Sequence, residues 1–311
     1  MTNDNKSDIP QVRFGPIQWL SNPLRTAIEE AVSEYGGRKW RIKSEIDLSE
    51  FACHHCAIVS DGSFAVFFKY SEAVDARRQF EIEQSGLQTL SNRAGVLTPH
   101  PISITRVETG TLLIMEALEA TKRGPRQWRQ IGATLARIHR VKGDICGFET
   151  NGFWGPLHQD NTPMRDWPTF FNERRLEPML RMAIDSGEIP SSVVSKVETL
   201  ITRLPELCGP EITPTLLHGD AQQNNFICTA KGIYIIDPAV YYANPEMDLA
   251  TIDSWQPVPD AFFNGYREEI PIDPGFFERR DLWRVPLYLA AVVIEGSIHL
   301  DRLANAIQKY L

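Results

Sequence analysis

Residues 216–225 read Leu216-Leu217-His218-Gly219-Asp220-Ala221-Gln222-Gln223-Asn224-Asn225, and residues 235–238 read Ile235-Ile236-Asp237-Pro238. In each stretch an apolar, strand-like run delivers an aspartate at its end. Phosphoryl transfer asks a protein for positioning and charge neutralisation rather than covalent chemistry. One carboxylate must accept the proton of the attacking hydroxyl. Hard oxygen ligands must hold Mg²⁺ against the phosphates. Asp220 is the candidate base, and Asn225 and Asp237 are the candidate Mg²⁺ ligands. The five-residue step from Asp220 to Asn225 is that of a protein-kinase catalytic loop. Singly, either aspartate would be an ordinary turn residue; the joint pattern carries the reading.

Working upstream, Phe64-Ala65-Val66-Phe67-Phe68-Lys69 ends a strand candidate in a lysine. Alternation puts Lys69 on the face of Ala65 and Phe67, toward a nucleotide cleft. A kinase needs such a lysine for the α and β phosphates and a helix glutamate to orient it. Glu83 follows fourteen residues later in a helical stretch from Asp75 to Asn92, with Glu81 as its competitor.

The surrounding pattern predicts a small sheet with helices. Ser21-Asn22-Pro23 opens a helix carrying Leu24, Ala27, Ile28 and Ala31, and Gly36-Gly37 ends it. Asp61-Gly62 is a hairpin turn between strands at 56–60 and 64–70, and Thr111 to Glu116 reads as a further strand. From about Pro125 the pattern is helical, with Trp128, Ile131, Leu135 and Ile138 as an apolar stripe. A β-rich island, 215–237, interrupts it. The expectation is an α+β, two-lobed, protein-kinase-like fold: an N-terminal nucleotide-binding lobe over 1–118, with 1–14 frayed, and a helical lobe over 119–311.

Composition bounds the rest. The 311 residues are 42% hydrophobic and 23% charged, ordinary for a globular protein. A formal net charge of −8 argues against nucleic acid as a partner. The apolar stretch around 287–294 is far too short to span a bilayer, and no apolar leader opens the chain. Five scattered cysteines do not form a disulfide framework, so a cytoplasmic, reduced protein is expected. Cys53-His54-His55-Cys56 invites a zinc reading, but neighbours on an extended strand alternate faces and do not close one tetrahedron. His139 is read as a hydrogen-bonded core histidine, and Lys122, Arg123 and Arg126 as a solvated face.

Several stretches together resemble the fructosamine kinases (ketosamine 3-kinases), within the aminoglycoside-phosphotransferase-like branch of the protein-kinase fold. These are His218-Gly219-Asp220, Asp237-Pro238-Ala239-Val240-Tyr241-Tyr242 and Pro245-Glu246-Met247-Asp248-Leu249-Ala250. Met115-Glu116-Ala117-Leu118 resembles the hinge, and the segments from Gly147 to Thr162 and from Trp167 to Leu176 resemble the substrate lobe. The resemblance implies an enzyme that uses ATP and Mg²⁺ to phosphorylate a hydroxyl of an amine-bearing sugar. It implies Asp220 as base, Asn225 and Asp237 at the metal, Lys69 and Glu83 at the phosphates, and the backbone of Glu116 and Leu118 at adenine. Asp248 would buttress the catalytic loop.

Two segments depart from the family. Ala221-Gln222-Gln223-Asn224 stands where it usually reads Leu-Trp-Ser-Gly, removing an apolar wall for a sugar and leaving an aminoglycoside or another amino-alcohol as the alternative acceptor. Residues 49–56 lack the glycines that often serve the phosphates, which leaves a non-catalytic nucleotide-binding pseudokinase as the alternative of another class. Some relatives carry a redox-sensitive cysteine near this loop, which makes Cys53 and Cys56 candidates for modulating activity.

Overall fold

The computed structural model describes residues 13–51 and 54–311. The expected fraying at the N-terminus falls largely outside the described residues, and Cys53 falls wholly outside them. The chain divides into two compact units. The first takes residues up to Gln84 together with Pro99–Glu119, and the second takes Ser85–Thr98 and Ala120–Leu311.

The first unit is built on strands β1 (Arg13–Phe14), β2 (Ser44–Asp47), β3 (His55–Ser60), β4 (Ala65–Ser71), β5 (Pro101–Val107) and β6 (Gly110–Glu116). They form one antiparallel sheet in the order β1-β2-β3-β4-β6-β5. Helix α1 (Asn22–Gly36) begins with Pro23 in its first turn and ends on Gly37 at φ 60°, as its punctuation predicts. The Ser21 side chain makes no capping bond. Leu24, Ile28 and Val32 of α1 bury with Val59, Val66, Phe68, Leu112 and Ile114 of the sheet. Strand alternation therefore sends Val66 and Phe68 into this core and Lys69 to the other face. The β3–β4 turn is fixed by Asp61, whose Oδ1 accepts the backbone N–H of Ser63 and Phe64, both at 2.8 Å. Gly62 supplies φ 91° there.

Helix α2 (Ala76–Ala94) runs on from this sheet, and the division between units falls within it, after Gln84. The second unit continues with α3 (Pro125–His139), a hairpin of β7 (Gly152–Trp154) and β8 (Leu157–Gln159), and α4 (Trp167–Phe171). A π-helical turn, Asn172–Leu176, joins α4 to α5 (Glu177–Ser186), followed by α6 (Ser191–Thr202) and α7 (Leu204–Leu207). Then come β9 (Thr215–Leu217), the hairpin of β10 (Phe226–Thr229) and β11 (Gly232–Ile235), and β12 (Tyr241–Ala243), which pairs with β9. Helices α8 (Glu246–Ile252), α9 (Asp260–Arg267), α10 (Phe276–Glu295) and α11 (Leu300–Gln308) complete it.

Its core joins the α3 stripe (Ile131, Leu135, Ile138) to Leu216, Leu217, Phe226, Phe262 and the apolar side of α10. Helices α3 and α9 meet backbone to backbone through Gly132 and Gly265, where an added Cβ would lie 2.0 Å from Phe262 O and Arg129 O respectively. No helix among the described residues is long and apolar enough to cross a membrane.

Candidate active site

In the first unit, Lys69 lies on β4 between Cys56 of β3 and Leu113 of β6. Only 5% of its surface is exposed. Its ammonium donates to both carboxylate oxygens of Glu83, at 2.8 and 2.9 Å. Glu81, the competitor, instead pairs with Arg77 one helical turn away at 2.8 Å. Cys56 is buried and is not in a disulfide. Glu116 closes β6, its N–H donating to the carbonyl of His100 at 2.9 Å, and Leu118 follows in the connecting segment.

In the second unit, β9 ends at Leu217 and the chain turns sharply through Gly219, at φ 83°. A Cβ on Gly219 would sit 1.9 Å from the Ala239 carbonyl oxygen, so only glycine fits. Partly buried Asp220 then presents its carboxylate to a set of donors. Oδ1 accepts from Gln222 Nε2 at 2.9 Å, and Oδ2 accepts from Asn225 Nδ2 at 3.1 Å. The same Asn225 nitrogen donates to the Asp220 carbonyl at 2.8 Å. Trp154, from the β7–β8 hairpin, is half-buried and packs on the helical core.

Burial pushes Asp220 above the usual carboxylate range, and the nearby charge of Asp237 pushes the same way. Trp154, Gln222 and His218 pull against that shift without cancelling it. Asp237 follows β11 and adopts φ 53°, the one positive φ of a non-glycine residue among the described residues. Residues in this region cost free energy and cluster at functional sites.

His218 ties the two stretches together. Its Nδ1 accepts the Asp220 N–H at 3.2 Å, which leaves Nε2 to carry the proton donated to the Ile236 carbonyl at 3.0 Å. The loop is also held from behind. Asp248, on α8, accepts His218 N–H at Oδ2 (2.7 Å) and Gly219 N–H at Oδ1 (3.0 Å). His139 Nε2 donates to the same Oδ2 at 3.1 Å, and its Nδ1 accepts from the Tyr266 hydroxyl at 2.7 Å. The core histidine foreseen from the sequence is thus a link in a buried chain that ends on the loop carrying Asp220.

Arg123 is a correction. Rather than lying on a solvated face, it donates to the carbonyls of Gln223 and Phe226, both at 2.8 Å, and its guanidinium stacks on Trp128. Gln222 and Arg123, which bond Asp220 and the backbone of its loop, were missed; no local spacing marks them. Cavities of about 600 and 620 Å³ lie elsewhere in this unit, against Lys122 and Lys231 and against Asp160 and Arg181 respectively. Neither lining includes Asp220, Asn225 or Asp237.

The fructosamine kinase family model matches residues 24–311. The chain belongs to the fructosamine kinase family. Its chemistry is therefore phosphoryl transfer to a hydroxyl of a small molecule. A protein of Pasteurella multocida assigned as a ketoamine kinase is 28% identical over 261 residues, covering 83% of this chain and 89% of the relative. The ketosamine-3-kinase of Mus musculus is 28% identical over 250 residues, covering 72% and 81%. Among solved structures, one from Thermobifida fusca assigned as a fructosamine-3-kinase superposes with a TM-score of 0.79 at 26% identity, covering 91% of this chain and 98% of that one. The α+β kinase-like fold extends to an aminoglycoside phosphotransferase solved with ADP and hygromycin B, at a TM-score of 0.59 and 15% identity, with 91% and 96% covered.

Proposed function

We propose that the chain transfers the γ-phosphoryl group of ATP to a hydroxyl of a ketosamine-type, amine-bearing sugar, with Asp220 as the base. The observation that carries this reading is the Asp220 carboxylate itself. It is partly buried, held by amide donors at 2.9 and 3.1 Å, and raised in pKa toward the working range of a general base.

Asp220 accepts the acceptor's proton as the new O–P bond forms and the bond to the leaving ADP oxygen breaks. With its amide nitrogen committed to Asp220, Asn225 keeps its amide oxygen for a cation. Together with the Asp237 carboxylate, this gives the sparse all-oxygen set that suits Mg²⁺, whose remaining positions go to phosphates and water. Mg²⁺ bound there would neutralise phosphate charge. Lys69, oriented by Glu83, is assigned to the α and β phosphates, and the backbone of Glu116 and Leu118 to adenine.

Supporting the ketosamine acceptor are the family and the ketosamine-3-kinase relative; supporting ATP is the ADP complex of a fold neighbour. A cytoplasmic setting suits the described cysteines, all outside disulfides, of which burial pushes Cys146 and Cys208 up to about 12.

The test is an ATP-consumption screen over ketosamines, aminoglycosides and small amino-alcohols, with Asp220→Asn as control. Turnover should be confined to ketosamines and lost in the variant. Turnover of aminoglycosides alone would reassign the acceptor, and equal rates in the variant would remove Asp220 from the mechanism.

A further inference from the structure

We propose that Tyr266 is a positioning residue for phosphoryl transfer: its buried hydroxyl fixes the tautomer of His139 and, through His139 and Asp248, the backbone that carries Asp220. The functional half of the proposal rests on the kinase reading above. The tautomer half stands on the hydrogen bonds alone.

Tyr266 lies on α9 and His139 closes α3, and their rings meet edge-on with centroids 5.6 Å apart. The backbone crossing of the two helices sets this contact. Gly265 directly precedes Tyr266, and an added Cβ on Gly132 would lie 2.8 Å from the Tyr266 nitrogen. About two turns along α3 from Gly132, His139 Nδ1 meets the Tyr266 hydroxyl at 2.7 Å. Both residues are almost fully buried, at 1% and 2% exposure.

The direction of each bond follows. Asp248 already accepts two backbone N–H groups, as a carboxylate does, so His139 Nε2, 3.1 Å from Oδ2, carries a proton. That leaves Nδ1 either bare or protonated, and the Tyr266 hydroxyl decides between them. Among the described residues this hydroxyl has no other hydrogen-bond partner. If it accepted from Nδ1, its own proton would be stranded in the core it shares with Leu135, Ile138 and Phe262. It therefore donates, and Nδ1 is bare. Burial, with the charges of Asp248 and Glu246, pushes the hydroxyl well above the usual tyrosine value, which keeps its proton in place.

The tautomer matters because Asp248 is shared. Its Oδ2 takes the His139 and His218 N–H groups, and its Oδ1 takes the Gly219 N–H. The other tautomer would present a bare ring nitrogen to a carboxylate oxygen, and the two would repel. The carboxylate would then shift and carry His218 with it. His218 in turn holds the Asp220 N–H and the carbonyl of Ile236, the residue before Asp237. One hydroxyl thus bears on both acidic residues of the site through bonds made well behind them.

Variants of the full chain test this. Tyr266→Phe removes the hydroxyl and keeps the ring. With a ketosamine as acceptor it should lower kcat roughly fivefold, the worth of about one hydrogen bond, with KM for ATP and for the acceptor near wild type. Nitrogen NMR of the histidine rings, with His139 identified by the signals missing in His139→Gln, should show a single Nε2–H tautomer in the wild type. In Tyr266→Phe it should show a mixture of protonation states. His139→Gln keeps an N–H for Asp248 and has no tautomer to choose, so adding Tyr266→Phe to it should cost no further kcat. Tyr288→Phe strips another buried hydroxyl, from the Ser254 carbonyl at 3.1 Å, and should keep wild-type kcat.

Wild-type kcat in Tyr266→Phe, an unchanged Nε2–H tautomer there, or additive losses in the double variant would overturn the proposal. A wild type inert toward every acceptor would overturn the kinase reading and with it the functional half, while the His139 signals would still decide the tautomer.

Discussion

The carboxylate of Asp248 takes the backbone N–H of His218 at 2.7 Å, although the two residues lie 30 positions apart in sequence. Its other oxygen takes the Gly219 N–H, so a single buried side chain fixes two successive peptide groups just before Asp220. An amide at this position has one acceptor oxygen and would turn its own N–H groups toward the loop. Asp248→Asn is therefore expected to lower stability by about 1–3 kcal/mol and to reduce kcat more than it raises KM for ATP. Urea denaturation and steady-state kinetics check both. A wild-type kcat would show that the loop keeps its shape without the clamp.

The raised pKa of Asp220 makes two pH-dependent predictions. Activity should be lost as pH falls, along a limb lying above the ordinary aspartate value of about 3.9. For stability the sign is the reverse of a salt-bridged aspartate. The native state favours the protonated form, so this stabilisation is full below the unfolded pKa and is lost as pH rises through the folded pKa. Asp220→Asn does not titrate, and its melting temperature should gain on the wild type as pH rises above the ordinary aspartate value of about 3.9. Its kcat should fall by about 10²–10⁴-fold. A constant melting difference across that range would contradict the raised pKa.

Two glycines with positive φ should respond differently to alanine. At Gly62 the φ is 91° but nothing lies within 4 Å of an added Cβ, so only backbone strain of about 1–2 kcal/mol is expected. At Gly219 the Cβ would strike the Ala239 carbonyl, and the loop carrying Asp220 must move. Gly62→Ala should keep its turnover, whereas Gly219→Ala should lose most of it. Parallel melts and assays of the pair decide this.

Glu83→Gln keeps a hydrogen-bonding group near Lys69 and removes its charge. If the pair serves the phosphates, kcat/KM for ATP should fall on the order of 10²-fold, with acceptor KM little changed. Equal losses for both substrates would point to general damage instead.

A chelator should abolish turnover and added Mg²⁺ should restore it. Asn225→Ala should raise the Mg²⁺ concentration needed for half-maximal rate, because one of two protein oxygens is gone. An unchanged Mg²⁺ dependence would place the cation elsewhere.

Much of this was legible in the sequence because the signals are local. Asp220, Asn225 and Asp237 sit on one loop and one hairpin, and the spacing of Lys69 and Glu83 follows from a strand running into a helix. What stayed hidden depends on tertiary pairing. Arg123 reaches Gln223 across 100 positions. The pairing of β12 with β9 brings Tyr241 opposite Leu217, which neither three-residue run announces alone. Adjacent aromatics are another such case: Phe276 is buried while Phe277 is 42% exposed, because successive positions at the start of α10 point in different directions.

The backbone at Asp237 is held where few side-chain-bearing residues rest. At φ 53° a glycine would rest without penalty, whereas an aspartate there holds about 1–3 kcal/mol of strain. Proline at 238 further narrows the conformations open to the residue before it. What that strain secures is a carboxylate held in one direction just past the end of β11.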